Sequence, residues 1–423
     1  MRIASALVTL TALLLVACST PSAEPDEAPR SPANYERAAL ANTAFAIDLY
    51  NQIDRQKRDG NFIYSPLSIS TALAMTSAGA RAQTQTQIVD ALRFADPDGL
   101  HAEYGGLIRD LEIEAPEADP DGTEADEEDA APILSIPNSL WVQMGLTIGV
   151  DFLRVVEEDY DAQMRQLDFR ADPEGSREVI NGWVSDQTYE LIPELLPRGL
   201  ITPLTRLVLV NALYLRASWQ VPFDENRTEE ADFTTGDGTV VQAEMMGVRH
   251  QLNHVDDRDR TAVELPLADT SLSMVAVLPR RESPQELIAS MRPGDLGDLV
   301  DQMSSSHADL RFPKFEMRTQ LPLNEQLQAL GIVDAWDADT ADFSRMARED
   351  DLYLSDVIHE ATITVDEKGL EAAAATAAVI AVRSAPTEVA ELTFDEPFAF
   401  FIRDNDSGAI LFVGQVLDPT ESN

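Results

Sequence analysis

Residues 366–386 read DEKGLEAAAATAAVIAVRSAP, and this stretch carries the most information about how the chain folds. A β-branched run, ATITV at 361–365, precedes it, and a second strand signal follows at 394–402. Composition alone favours an alanine-rich core helix, because alanine has the highest helix propensity. The order of the residues favours a different interpretation, in which a hinge is followed by a mobile strand and then by an exposed bait.

The proposed hinge contains a glycine, Gly369, which can act as a pivot because it tolerates backbone torsions that other residues avoid. The alanines after it are small, so a strand made of them loses little side-chain entropy when it enters an existing sheet. In an extended strand Leu370 faces one side of the sheet and Glu371 the other. The candidate hinge residues are Glu367, Lys368, Gly369, Leu370, Glu371, Ala372, Ala373, Ala374, Ala375 and Thr376.

The bait is a single cation in a small apolar run. Arg383 lies fourteen residues after Gly369, is followed by Ser384, and precedes Pro386. Trypsin-like proteases cleave after such a residue, because their specificity pocket has an acidic floor.

With these features the chain resembles the serpin family over nearly its whole mature length. The similar segments occur in the family's order: YSPLSI at 64–69, NALY at 211–214, FPKF at 312–315, HEA at 359–361, the hinge at 367–376, PFAF at 397–400 and FVG at 412–414. The resemblance implies an α+β serpin fold with three β-sheets, about nine helices and an exposed reactive loop at 367–386. Aligned on Gly369, the family's scissile bond falls at Arg383–Ser384.

The resemblance also implies a function, namely suicide-type inhibition of trypsin-like serine endopeptidases. The target's serine would attack the Arg383 carbonyl, and the cleaved loop would then enter the main sheet and trap the acyl-enzyme. Two alternatives stay open. One is a non-inhibitory serpin that acts as a surface binding protein. The other is an inhibitor of an Arg-specific cysteine protease, or of an elastase- or subtilisin-type protease cleaving after Val382.

One hinge residue departs from the family pattern. Leu370 stands where the family usually has threonine. Leucine is apolar and can be buried, but it is larger, so we expect the start of insertion to be slower.

The N-terminal residues predict export. Residues 1–17 have an early cation, Arg2, and an apolar run at 7–16 that is too short to span a membrane, which is typical of a signal peptide. LVAC at 15–18 resembles the bacterial lipobox and implies cleavage before Cys18 and lipid attachment there; an ordinary signal peptide is the alternative. We expect residues 18–34 to be a flexible tether, and the protein to be anchored to the bacterial cell envelope, with the outer membrane favoured by Ser19, or to be extracellular.

Composition limits the partners. The formal charge is −43, from 74 acidic against 31 basic residues, which argues against nucleic acid because phosphate binding needs Lys and Arg. A high-salt habitat and a genome composition bias explain this acidity equally well.

The segment 112–131 predicts a disordered acidic insertion within a single domain at 35–423, although a divalent-cation site there is an alternative. The predicted partners are a target serine protease and, through Cys18, a membrane, with the protein expected as a monomer.

Enzyme motifs are missing from the sequence. It has no Gly-x-Ser-x-Gly, no Walker loop and no His-Glu-x-x-His. His250 and His254 have helical metal-site spacing, but their surroundings indicate strand and turn. We therefore predict no catalytic residues, no cofactor and no metal.

Strand and helix signals do not alternate regularly, which supports the α+β class. The sequence predicts single strands at 133–142 and 207–215, and a helix at 323–330 that ends at Gly331.

Overall fold

The computed structural model describes residues 35–53, 58–113, 131–211, 213–347, 352–370 and 389–422. Nine α-helices lie in these ranges: α1 Glu36–Gln52, α2 Pro66–Gly79, α3 Ala82–Ala91, α4 Leu100–Leu111, α5 Val150–Tyr160, α6 Pro173–Gln187, α7 Pro284–Ser290, α8 Asp295–Gln302 and α9 Asn324–Ala329. No helix among the described residues is long and apolar enough to cross a membrane.

The strands supply the larger part of the architecture. They are β1 Phe62–Tyr64, β2 Ile133–Ser135, β3 Asn138–Gln143, β4 Gln163–Leu167, β5 Leu207–Asn211, β6 Tyr214–Ser218, β7 Asp224–Thr234, β8 Val240–Asp256, β9 Arg260–Pro266, β10 Leu272–Pro279, β11 Ser304–Pro313, β12 Phe315–Pro322, β13 Asp356–Val365, β14 Gly369–Leu370, β15 Ala390–Thr393, β16 Phe398–Asp404 and β17 Ile410–Val416. Together with the helices they confirm the α+β class.

The eight-stranded main sheet has the order β2-β6-β14-β13-β5-β3-β4, with β12 paired to β13. The other strands follow the order β1-β17-β16-β10-β9-β8-β11-β15, with β7 paired to β8. The strand β8, 17 residues long, pairs with β7 and β11 in one part and with β9 at its end. It thus joins two parts of one nine-stranded sheet, and these two parts with the main sheet correspond to the three sheets that the resemblance implies.

The helix α2 lies beneath the main sheet and is buried along its whole length. Ser65 caps its N-terminus by accepting a hydrogen bond from the Ser68 N–H at 3.2 Å, and Pro66 occupies the first turn, where a missing N–H costs nothing. A helix buried on every side is apolar or small all round, which explains the SISTALAMTSAG composition.

A second, smaller core lies on the opposite face of the main sheet, under α6. Ile180 and Val184 of this helix pack with Val208 and Val210 of β5 and with Ile358 of β13. The helix therefore covers the place where β5 and β13 meet.

Two predicted strands prove to be divided. The run 133–142 splits into β2 and β3 around Pro137, which has no N–H to donate to a ladder. The run 207–215 splits into β5, which pairs with β3 and β13, and β6, which pairs with β2 and β14. Apolar character reports burial and not the identity of the partner strand, so the sequence could not show this division. A third predicted strand, at 394–402, is displaced and not divided. The observed strand β16 begins after Pro397, four residues later than predicted.

Most of the predicted acidic insertion, residues 114–130, lies outside the described residues. Ile113, which belongs to the predicted insertion, is described and forms an isolated bridge with Leu134.

Candidate functional site: the hinge strand in the main sheet

The strands β5 and β13 pair directly over only three positions, from Asp356↔Val208 to Ile358↔Val210. Beyond this point β13 continues to Val365 without β5 beside it. The short strand β14 lies between β13 and β6 at the far end, with Val365↔Leu370 and Leu370↔Ala217 as Cα partners. Among the described residues, one half of the main sheet is therefore closed by the pairing of β5 with β13, whereas in the other half no strand beyond Leu370 lies between β13 and β6.

The direction of β14 decides where a longer strand would lie. It is antiparallel to both β13 and β6, so the chain turns back after β13 and heads towards the closed half. A strand that continued past Leu370 in the same register would pass between residues 359–364 of β13 and residues 214–216 of β6. The last described residue of the hinge, Leu370, thus lies between β13 and β6.

A compact turn connects β13 to β14. The Asp366 side chain accepts hydrogen bonds from the N–H groups of Lys368 and Gly369 at 2.8 and 3.1 Å. The backbone N–H of Asp366 donates to the Gly369 carbonyl at 3.1 Å. Aspartate forms such turns readily because its short side chain reaches the backbone two residues on.

Gly369 is required for a different reason from the one expected. A Cβ atom there would lie 2.2 Å from the Ala217 carbonyl oxygen and 2.7 Å from the Ser218 Cα. The glycine therefore allows a close approach of two backbones, and its described conformation is one that other residues could adopt. Leu370, next to it, is only 1% exposed.

Three hydrogen bonds from the segment after β6 hold the turn. The Trp219 indole donates to the Asp366 carbonyl at 2.9 Å, and the Trp219 N–H donates to the Lys368 carbonyl at 2.8 Å. The Phe223 N–H donates to the Glu367 carbonyl at 2.8 Å. We call Trp219 and Phe223 the hinge clamp.

The clamp rests on an aromatic cluster. The Phe223 ring stacks on Phe312 at 6.3 Å between centroids, and Phe312 contacts Phe394 and Phe398 at 5.2 and 5.1 Å. The motifs FPKF and PFAF, far apart in sequence, therefore meet behind the hinge.

The Glu367 carboxylate is held on both oxygens. Thr228 donates to Oε1 at 2.7 Å, and the Lys314 ammonium lies 3.1 Å from Oε2. Burial alone would raise the pKa of Glu367, but the hydrogen bonds from Thr228 and Lys314 outweigh it and lower the pKa below its ordinary value. Burial likewise opposes the charge of Lys314, yet Glu367 raises the pKa of that ammonium. The pair is thus ionised at neutral pH and fixes the start of the hinge.

A buried histidine lies where β13 leaves β5. The Ser65 N–H donates to Nε2 of His359 at 3.0 Å, and burial lowers the pKa of His359 to about 3. The imidazole is therefore neutral, with Nε2 as the acceptor. This contact joins the motifs YSPLSI and HEA and pins the start of α2 to the main sheet.

The next residue, Glu360, was not expected to have a special role. Its buried carboxylate accepts hydrogen bonds from Arg318 Nε at 2.6 Å and from Gln320 Nε2 at 2.9 Å. The same Gln320 amide donates to the Leu195 carbonyl at 3.0 Å, in the segment after α6. Burial raises the pKa of Glu360, against the opposing attraction of Arg318. The network ties the covering layer of α6 to β13.

Several predicted site residues cannot be placed. Glu371, Ala372, Ala373, Ala374, Ala375 and Thr376, the bond Arg383–Ser384 and the lipidation residue Cys18 lie outside the described residues. His250 and His254 lie in β8, and within the described ranges no group of three or more His, Cys, Asp or Glu could hold a metal ion.

Comparisons with known proteins agree with this geometry. A family model described as "Serpin (serine protease inhibitor)" matches residues 40–419. The chain is 34% identical over 391 residues to the leukocyte elastase inhibitor of Xenopus tropicalis, covering 91% of this chain and 100% of that protein. Human thyroxine-binding globulin superposes with a TM-score of 0.78 at 28% identity, covering 92% of this chain and 100% of that one. The native structure of tengpin, a thermophilic serpin, gives 0.77 at 28% identity, covering 91% and 94%.

Proposed function

The chain belongs to the serpin family, and on that premise we propose that it inhibits serine endopeptidases by trapping them after they cleave its reactive loop. Serpins are in general inhibitors of proteases and not catalysts. One observation of this molecule carries the proposal: β14 lies between β13 and β6 and runs towards the half of the main sheet that β5 and β13 close. A loop cleaved beyond the hinge could extend β14 without any change in its direction.

The chemistry belongs to the target. Its serine oxygen forms an ester bond with the Arg383 carbonyl carbon, and the amide bond to Ser384 breaks, leaving Ser384 as a new N-terminus. The released strand then extends from Leu370 between β13 and β6. The protease, still joined through the ester to Arg383, is carried to the closed end of the sheet, and its distorted site cannot complete hydrolysis.

Insertion of the cleaved strand lowers the free energy of the chain. Residues 371–383 number thirteen, and at about 0.5–1.5 kcal/mol net per backbone hydrogen bond they would release on the order of 7–20 kcal/mol. Most folded domains are stable by only about 5–15 kcal/mol. The uncleaved fold is therefore held by a kinetic barrier and not by its depth in free energy.

The preference for trypsin-like targets rests on Arg383 alone. The name of the leukocyte elastase inhibitor relative favours instead an elastase-type target cleaving after Val382. The likeness to thyroxine-binding globulin favours a non-inhibitory binding protein. These three functions predict different products with different proteases.

The test is to mix a soluble form lacking residues 1–18 with trypsin, elastase and subtilisin separately, and to separate the products on denaturing gels. We expect a band at the summed mass with trypsin, and a released peptide that begins at Ser384. Arg383→Ala should lose the trypsin band and Val382→Ala should keep it. A covalent band only with elastase would move the bond to Val382, and clean cleavage by all three enzymes would favour the non-inhibitory alternative.

We further propose that the protein is exported and anchored through a lipid on Cys18. The support is the LVAC sequence and the absence of any other cysteine. Cells that express the full chain should incorporate labelled palmitate into it, and Cys18→Ser should abolish the label. A labelled Cys18→Ser protein, or an unlabelled natural chain cleaved elsewhere, would overturn this.

A further inference from the structure

A cavity of about 200 Å³ lies beside the hinge clamp, between the segment after β6 and the strands β8, β9 and β11. Its inner wall is buried and consists of Trp219, Leu252, Glu264 and Leu265. Its mouth is polar and exposed and consists of Gln220, Gln251, Asn253 and Ser305. A concave site with apolar walls and a few converging polar groups is the usual form of a ligand pocket.

The unusual member of this wall is Glu264. It is only 6% exposed, yet the partners of its carboxylate are neutral: Asn253 Nδ2 donates to it at 2.9 Å and Ser273 Oγ at 3.1 Å. No Lys, Arg or His nitrogen of the described residues lies within 4.0 Å of it. A buried carboxylate without a cation costs free energy, so a positively charged ligand would be bound favourably here.

The other walls define the shape of that cation. Trp219 and Leu252 line the cavity together with Val221 and Pro266, so the ligand needs an apolar body as well as a charge. The amide oxygens of Gln251 and Asn253 at the mouth can accept hydrogen bonds from an ammonium group held at Glu264. A metal ion fits less well, because no group of three ligating side chains occurs in the described part of the chain.

We propose that this cavity binds a small alkylammonium ion, with its charge at Glu264 and its alkyl chain against Trp219. Because the Trp219 indole also holds the Asp366 carbonyl at 2.9 Å, a bound ligand would stabilise the hinge clamp. The ligand would thereby slow loop insertion, and this second step rests on the proposed inhibitory function. The binding step is independent of that function, because it concerns the uncleaved protein alone.

Binding is tested with n-butylammonium chloride on the uncleaved protein lacking residues 1–18, by calorimetric titration and by the thermal midpoint. Sodium chloride at equal concentration controls for general screening, and 1-butanol controls for the alkyl chain. We expect saturable binding only for butylammonium. Glu264→Gln should weaken it at least tenfold, because the variant loses the charge-assisted hydrogen bond to the ammonium group. The matched control, Glu325→Gln, removes one exposed charge in α9 and should bind like the natural chain.

Equal effects of butylammonium and sodium chloride would overturn the site, as would unchanged binding to Glu264→Gln. Should that variant not fold, Ser305→Phe provides a second test, because it narrows the mouth at an exposed position and leaves the buried wall intact. Butylammonium binding that persists in Ser305→Phe would contradict the proposal.

Coupling to the hinge is tested separately, by the rate of covalent complex formation with and without saturating butylammonium. We expect a severalfold slower rate for the natural chain and no change for Glu264→Gln. Binding without any effect on the rate would overturn the coupling and leave the site in place. Failure to inhibit any protease would instead count against the proposed function, whatever the titration shows.

Discussion

The N–H of Ser65 donates a hydrogen bond to Nε2 of His359 at 3.0 Å, across 294 positions of sequence. The contact fastens the first turn of α2 to β13 at the residue that follows the last pairing with β5. It requires a neutral imidazole, because a protonated one has no lone pair to accept. The end of the β5–β13 pairing is therefore sensitive to protonation.

We predict that acid destabilises the fold through this histidine. Burial lowers the pKa of His359 from 6.5 to about 3, so the unfolded chain binds a proton in this range that the folded chain does not. The contribution of His359 to the free energy of unfolding is therefore fully present above pH about 6.5. Below that pH it falls by about 1.4 kcal/mol per pH unit, until the pH approaches the pKa of His359 in the folded protein. His359→Gln keeps an acceptor for Ser65 and should remove this part of the slope. Thermal midpoints between pH 7 and 5.5 measure the difference, and parallel slopes for the two proteins would contradict the assignment.

Leu370→Glu should turn the protein from an inhibitor into a substrate. The side chain is 1% exposed between β13 and β6, and a carboxylate there would be buried without a partner. Burying such a charge costs several kcal/mol, so deacylation of the target would outrun insertion. The measurement is the number of inhibitor molecules consumed per protease trapped, which should rise severalfold. Leu370→Thr, the residue usual in the family, should inhibit at least as fast as the natural chain. Full inhibition by the glutamate variant would show that Leu370 is not buried during trapping.

Gly369→Ala should displace the hinge from the sheet. The added methyl would lie 2.2 Å from the Ala217 carbonyl oxygen, which belongs to a backbone and cannot give way cheaply. We expect a loss of about 1–3 kcal/mol in stability, as for other overpacked sites, and faster proteolysis near residue 370. Gly182→Ala in α6 is the control. It has no atom within 4 Å of the new methyl and should be neutral or slightly stabilising. Equal midpoints for the two variants would show that the hinge adapts.

Added salt should stabilise the protein. The formal charge is −43, so the excess carboxylates repel one another in the compact state. Salt screens the repulsion between charges that are farther apart than the Debye length, which is about 8 Å at physiological ionic strength. We expect the thermal midpoint to rise steadily from low salt to multimolar potassium chloride. Greater stability at low salt would count against a high-salt habitat.

Part of this site could be predicted from the sequence because it is local. Gly369 and the buried Leu370 are neighbours in the predicted hinge, so the motif places them together, and the turn at Asp366 directly precedes that hinge. The clamp could not be predicted in this way, since Trp219 and Asp366 are 147 positions apart and only the folded sheet brings them together.

Two other features escaped the sequence for different physical reasons. The division of 207–215 into β5 and β6 depends on which strands lie alongside, and an apolar run has the same composition in both halves. The burial of Glu264 contradicts the usual exposure of glutamate, and no local pattern signals that a neutral amide and a hydroxyl will serve as its partners.

The two-residue strand β14 also bears on how insertion begins. A helix forms cooperatively, because its first turn fixes many torsions in return for few hydrogen bonds, and the same reasoning applies to a strand that is added residue by residue to a sheet. Under the proposed trapping mechanism β14 would be the nucleus of the inserted strand, because it already lies between β13 and β6 in the uncleaved chain. Propagation would therefore be downhill until it meets the three positions where β5 and β13 still pair. The time in which the acyl-enzyme can still deacylate would then depend on how fast β5 and β13 separate at these three positions. It would not depend on how fast the strand begins to insert.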